Sequence, residues 1–255
     1  MSDAPVLTER RDGVLVITLN RPEARNAFNR AQAEGLAAAL TELDEADELR
    51  VAVLTGAGNG FSAGMDLKAF VKGETPYVEG RGFAGIAQGP PRKPIVAAIE
   101  GFALAGGLEV ALACDLIVAG RDAKLGIPEV KVGLAAGAGA LIRLPRRIPY
   151  HLAMELALTG EPISAERGAE IGLVNQAVES GTAVEEAVQL AEQIARNAPL
   201  SLDASKQVIA GSSNQTEDEA WESQGAIVGV AFGSEDAQEG AKAFAEKRDP
   251  VWKGR

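Results

Sequence analysis

The sequence predicts an α/β core followed by an all-helical C-terminal part, and three observations carry that prediction. Short apolar runs rich in β-branched residues recur at 13–20, 51–54 and 115–119. Residues 94–114, PIVAAIEGFALAGGLEVALAC, change period from a buried strand through a small-residue turn into a helix. From Ala183 onward the apolar period is helical nearly to the end. Strands alternating with helices, then helices alone, belong to that architecture.

In chain order, GVLVITLN at 13–20 alternates as a strand does and is closed by the turn-like NRPEARN. Residues 31–47 read as a helix with Leu36, Leu40 and Leu43 on one face and acidic residues on the other. A second buried strand at 51–54 runs into the loop TGAGNGFSAGMDLK. Residues 69–92 carry several glycines, Pro76, Pro90 and Pro91 and no sustained period, the mark of a long irregular segment that is usually functional or mobile. After the 94–114 unit comes a strand at 115–119, an extended piece at 123–127, and a glycine-rich loop through Gly139. Helices are expected at 141–147, at 152–158 and at 164–171, the last with Ser164 as N-cap and Gly172 as terminator. Breaks at Ala198–Pro199 and around 211–214 divide the C-terminal helices.

Composition narrows the function classes. With 46% hydrophobic and 24% charged residues, the 255-residue chain can bury a sizeable core. A net charge of −11 disfavours nucleic acid and anionic membranes as partners. The first residues carry no apolar core of signal-peptide length, and no run approaches the ~20 apolar residues of a membrane span, so a cytoplasmic location is expected. One cysteine, Cys114, excludes an intrachain disulfide, and with the single histidine it argues against a His/Cys zinc site.

Two familiar motifs fail on context. Gly60-Phe61-Ser62-Ala63-Gly64 matches the nucleophile elbow, but the loop TGAGNG separates Ser62 from its strand, and His151 is poorly placed as a partner. Gly56, Gly58 and Gly60 lack the G-x-G-x-x-G spacing of a dinucleotide site. Arg143, Arg146 and Arg147 form a basic cluster read as a solvated or subunit-facing surface. The glycine turn at 106–107 is different, because the first N–H groups of a helix lack internal acceptors and point outward. Glu109 lies in that first turn, where it either complements the helix dipole or does chemistry.

Phe61-Ser62-Ala63-Gly64-Met65-Asp66-Leu67, then Gly101 to Glu109, then Ile127-Pro128-Glu129-Val130 and Gly133-Leu134 resemble the enoyl-CoA hydratase/isomerase (crotonase) family. NRPEARNAF near the start and AFAEKRDPVW near the end extend the resemblance over almost the whole chain. It implies a spiral of ββα turns over 1–195 carrying an acyl-CoA site, and a C-terminal helical region over 196–255 used for trimerisation. It implies an oxyanion hole from the N–H groups of Met65 and Gly106, and two carboxylates, Glu109 and Glu129. For CoA recognition it points to Arg25 and Ala27, to Ala63, Gly64, Asp66, Leu67 and Lys68, to Gly107, and to Phe244 with Lys247 from a neighbouring subunit. Phe70, Tyr77 and Phe83 become expected apolar contacts of the acyl group. Ala105 and Ala140 stand where the family often has glycine, Ala135-Ala136 where proline is frequent, and Met65 is bulkier than the common alanine.

The implied reaction is hydration of a trans-2-enoyl-CoA, which needs donors for an enolate oxygen, a base for water and a proton source for the α-carbon. Two carboxyls can divide that work, with Glu109 activating water and Glu129 exchanging the α-proton. No metal or redox cofactor is expected, and the assembly expected is a homotrimer or dimer of trimers. A Δ3–Δ2 isomerase would need one carboxylate, and an acyl-CoA-binding protein none. A separation of twenty positions between the two glutamates means that only the fold can bring them together.

Overall fold

The computed structural model describes residues 4–255. Strand β1 (Val6–Arg11) pairs antiparallel with β2 (Val14–Leu19) through the two-residue turn Asp12–Gly13. Both turn residues have positive φ, 42° and 84°, the geometry that Asp-Gly adopts readily. Helix α1 (Arg30–Glu45) begins at Asn29, whose side chain accepts the Gln32 N–H, and buries Leu36, Leu40 and Leu43 as the spacing predicts. Strand β3 (Val51–Gly56) returns parallel to β2.

The segment 69–92 is more ordered than its composition indicates. A short helix α2 (Leu67–Val71) is capped by Asp66, and β4 (Tyr77–Val78) pairs with β5 (Gly82–Phe83) as a small hairpin. Phe83 is the anchor: it is buried, with Phe28 and Tyr77 packed edge-on at centroid distances of 5.8 Å each. Buried Ile86 and the Arg81 guanidinium, which donates to the Gly89 carbonyl at 3.1 Å, hold the stretch with it.

Strand β6 (Ile95–Ile99) follows, then β7 (Phe102–Leu104) and helix α3 (Gly106–Ala113). The unit then repeats: β8 (Leu116–Gly120), β9 (Lys124–Gly126), a 3-10 turn (Pro128–Val132) and α4 (Ala140–Arg147). In each unit the first strand enters the main sheet and the second enters a smaller one, which makes the chain a ββα spiral. Helix α5 (Tyr150–Thr159), strand β10 (Ile163–Ser164), helix α6 (Ala165–Glu170) and strand β11 (Gln176–Val178) complete the core with α7 (Ala183–Ala195). Ser164 caps α6 by accepting the Arg167 N–H at 3.1 Å, as expected.

The main sheet runs β1-β2-β3-β6-β8-β11 and the smaller one β10-β9-β7. Leu15, Ile17, Leu54, Ala97, Ile99 and Ile117 face α1 and α3, whereas Val14, Val16, Val53, Val96 and Val118 face Ala187, Val188 and Ala191 of α7. Parallel strands covered on both faces explain why these runs are continuously apolar.

Beyond the sheet lie α8 (Pro199–Ser212), α9 (Glu217–Phe232) and α10 (Glu235–Glu246). Lys206 of α8 reaches Asp115 at 2.7 Å and ties this region to the start of β8. The break at Gly233–Ser234 is not marked by the sequence period; Ser234 caps α10 through the Ala237 N–H at 3.0 Å. None of α9 is buried, and Trp221, Val230 and Phe232 are exposed along it. No helix among the described residues is long and apolar enough to cross a membrane.

Candidate active site

The turn between β7 and α3 is held on both sides by backbone hydrogen bonds. The Leu104 N–H donates to the Ser62 carbonyl at 3.0 Å, and the Ala105 N–H donates to the Gly126 carbonyl at 2.9 Å. Ala105 then takes φ 52° and ψ −130°, a conformation that L side chains rarely adopt, and delivers the chain into α3 without a side-chain cap. The Gly106 N–H, first of the helix, donates to no group of the described residues, and neither does the Met65 N–H. The two donors sit in adjoining turns, since a Cβ built on Gly64 would lie 2.8 Å from the Gly106 nitrogen. A Cβ on Gly107 would lie 2.2 Å from the Ser62 carbonyl oxygen, so glycine there permits helix and loop to touch.

Ser62 is structural. Its fully buried hydroxyl donates to the Asn26 carbonyl at 2.8 Å and accepts the Gly64 N–H at 3.1 Å. His151 is exposed and packs on Tyr150. Among the described residues no serine triad is assembled.

The fold closes the gap between the two glutamates. Glu109 projects from α3, and Glu129 from the 3-10 turn after β9, the strand that pairs with β7 just before α3. Glu109 is 3% exposed and Glu129 9% exposed, so both carboxyls are withdrawn from bulk water. Their environments differ. Oε1 of Glu109 accepts two backbone N–H groups, Ala138 at 2.7 Å and Ala140 at 3.1 Å. Oε2 of Glu129 is buried without a hydrogen-bond partner. Burial pushes Glu129 up to about 7, and the charge of Glu109 adds to that push. Burial also raises Glu109, but the Ala140 and Ala138 amides and the Arg143 guanidinium pull it back. The result is two carboxyls both raised by burial, Glu129 to about 7 and without a partner for Oε2, and Glu109 with its rise opposed by amides and a guanidinium.

The 25–27 and 63–68 loops form one hydrogen-bonded body. The Ala63 N–H donates to the Arg25 carbonyl at 3.0 Å, the Phe28 N–H to the Gly64 carbonyl at 2.7 Å, and the Asp66 N–H to the Phe28 carbonyl at 3.0 Å. Arg25 stacks its guanidinium on the Phe102 ring at 4.4 Å, and Ala27 is nearly buried. Asp66 is occupied by structure: it accepts the Lys68 and Ala69 N–H groups at 3.1 and 3.2 Å and pairs with Arg21 at 3.0 Å. Leu67 and Lys68 are exposed beside it. Phe244 and Lys247 lie on and just after α10, and within one chain no hydrogen bond, ion pair or ring contact joins them to these loops. Phe70 and Tyr77 are about half exposed, whereas Phe83 is core and its ring would meet a Cβ on Gly106 at 2.6 Å.

Three residues that matter here were not marked by the sequence pattern. Asn26 and Arg21 look like turn residues in NRPEARN, yet the buried Asn26 side chain donates to the Ala57 and Gly60 carbonyls at 2.9 and 2.8 Å. Arg143 is not part of a solvated basic face: it turns inward and donates to the Ala87 carbonyl at 2.6 Å. Only the coincidence of three arginines was legible there, and charge alone does not say which of them points in.

Free backbone donors in adjoining turns of a ββα spiral, beside two buried carboxyls, are suited to an enzyme that stabilises a developing oxyanion while moving protons. The sequence matches the enoyl-CoA hydratase/isomerase family over residues 9–255, and the chain belongs to that family. It is similar to the carnitinyl-CoA dehydratase of Salmonella heidelberg (strain SL476), 40% identical over the full length of both chains. It is equally similar to the enoyl-CoA hydratase EchA19 of Mycobacterium tuberculosis, 40% identical over 100% of this chain and 98% of the relative. Among solved structures, the enoyl-CoA hydratase EchA1 of Mycobacterium marinum superposes with a TM-score of 0.97 at 54% identity, covering 99% of this chain and all of that one.

Proposed function

We propose that this chain is an enoyl-CoA hydratase that adds water reversibly across the double bond of a trans-2-enoyl-CoA to give the 3-hydroxyacyl-CoA. The observation that carries this reading is the unequal pair, Glu109 gripped by two amides and Glu129 buried with an unpartnered oxygen near neutrality.

In this reading the thioester oxygen lies between the Met65 and Gly106 N–H groups. Charge accumulates on that oxygen as water adds, and a preorganised donor of this kind contributes about 3–4 kcal/mol in related acyl chemistry. Glu109 takes a proton from water as the water oxygen bonds to the β-carbon, and Glu129 gives its proton to the α-carbon. The cycle closes when Glu129 regains a proton and Glu109 releases one. The scheme calls for no metal or redox cofactor. The CoA moiety lies along the joined 25–27 and 63–68 loops, with Phe244 and Lys247 supplied by a second copy of the chain in a homotrimer or dimer of trimers. Exposed Trp221, Val230 and Phe232 on α9 fit burial between such copies. A cytoplasmic setting agrees with the acidic, cysteine-poor sequence.

A panel of trans-2-enoyl-CoA and 3-enoyl-CoA thioesters, including a crotonobetainyl ester, tests the reading. Hydration of 2-enoyl esters is expected. Double-bond migration in 3-enoyl esters without hydration would assign isomerase chemistry instead, and binding without turnover would make the protein a non-catalytic acyl-CoA binder.

A further inference from the structure

The loop that grips Glu109 is itself gripped, and the residue that does so is Arg143. Ala138 and Ala140, the two donors to Glu109, flank Gly139, which has φ 116°. A Cβ on Gly139 would lie 2.2 Å from Nη1 of Arg143, so the guanidinium rests directly on the bare backbone between the two donors. The same guanidinium donates to the Ala138 carbonyl at 3.4 Å and to the Ala87 carbonyl at 2.6 Å. Ala87 belongs to the turn closed on Phe83, its N–H donating to the Phe83 carbonyl at 3.1 Å, and Phe83 is the ring packed at Gly106. One side chain therefore connects the carboxylate clamp with the segment that backs the oxyanion turn.

We propose that Arg143 is a positioning residue: it sets the orientation of the Ala138 and Ala140 donors and, through them, of the Glu109 carboxylate. The proposal rests on the hydratase reading for its kinetic consequence, though not for its structural one. The charged and titratable groups around the pair are few. Glu109 faces Arg143 from α3 with Glu129 beyond it on the 3-10 turn; Arg143 also feels Arg146, Arg147 and the Cys114 thiol, which burial pushes up to about 12 and so keeps neutral. Removing the positive charge at 143 makes Glu109 harder to ionise.

Arg143→Gln and Arg143→Lys are compared with the wild type, after thermal melts establish that each is folded. Arg143→Gln is expected to lower kcat by about tenfold to a hundredfold with KM changed much less, as a misplaced reacting group does. The acid limb of its kcat–pH profile moves to higher pH. Arg143→Lys returns that limb toward the wild type while kcat stays low, because the charge is restored but not the planar fork. Hydrogen exchange at the Ala138 and Ala140 amides quickens in both variants, and Gly139→Ala, which displaces the guanidinium without removing it, quickens the same two amides. Folded variants with unchanged exchange at those amides and an unchanged acid limb would overturn the proposal. If the wild type hydrates no 2-enoyl ester, the exchange measurement still decides the role of Arg143, and the functional reading alone falls.

Discussion

Glu129→Gln removes a buried carboxyl whose second oxygen has no partner, and its effect on stability follows from the environment of that group. Burial and the neighbouring Glu109 charge raise Glu129 from 4.5 to about 7. A carboxyl raised in this way binds its proton more tightly in the folded than in the unfolded chain. The stability it contributes is therefore full below pH 4.5 and is lost as the pH rises through about 7. Each pH unit between the two values corresponds to about 1.4 kcal/mol, which places the loss at about 1–3 kcal/mol. Glutamine carries no charge at either extreme and escapes the loss. Thermal melts of wild type and Glu129→Gln near pH 5 and near pH 8 read the difference. The variant should gain roughly 2–10 °C relative to the wild type on going to the higher pH. A gap that stays constant, or narrows, between the two pH values would refute the placement of Glu129 in a desolvated, repulsive setting.

Three further outcomes are expected. Ser62→Ala leaves the Gly64 N–H without its buried acceptor and should cost about 1–3 kcal/mol in urea unfolding, with kcat within about tenfold of wild type; a far larger kcat loss would return Ser62 to candidacy as a nucleophile. Ala105→Gly relieves backbone strain of about 1–3 kcal/mol, less about 0.5–1 kcal/mol for the freedom glycine gains when unfolded, so a net rise of about 1 kcal/mol is expected by the same assay. Asp66→Ala removes the α2 cap, costing about 1 kcal/mol, and breaks the ion pair with Arg21; steady-state kinetics should show KM rising more than kcat falls, because the 63–68 loop is loosened and the carboxyl pair is not.

Much of this molecule can be read from its sequence, and the parts that cannot share a physical cause. The long apolar strands and the leucine stripe of α1 announce themselves because each satisfies its burial locally. Strand β1 does not: VLTERR is largely solvent-facing, and only the Asp12–Gly13 dipeptide signals its hairpin. Strands β7, β9, β10 and β11 are three residues long or shorter, below the length at which a period exists. The motif Gly106-Gly107-Leu108-Glu109 and the distant Pro128–Glu129 named the carboxyls through a family resemblance, but their difference was invisible in sequence. That difference arises from amides at 138 and 140 and from Arg143, groups that reach Glu109 only after α4 packs on α3. Likewise Phe83 sits in a segment without periodicity and is placed by aromatic packing.

The most direct measurement of the central claim is the steady-state hydration of a short-chain trans-2-enoyl-CoA by wild type, Glu109→Gln and Glu129→Gln, with folding verified for each. Two carboxyls that divide base and acid duties should each cost about a hundredfold to ten-thousandfold in kcat when neutralised. Near-wild-type turnover in both variants would contradict the assignment of this site.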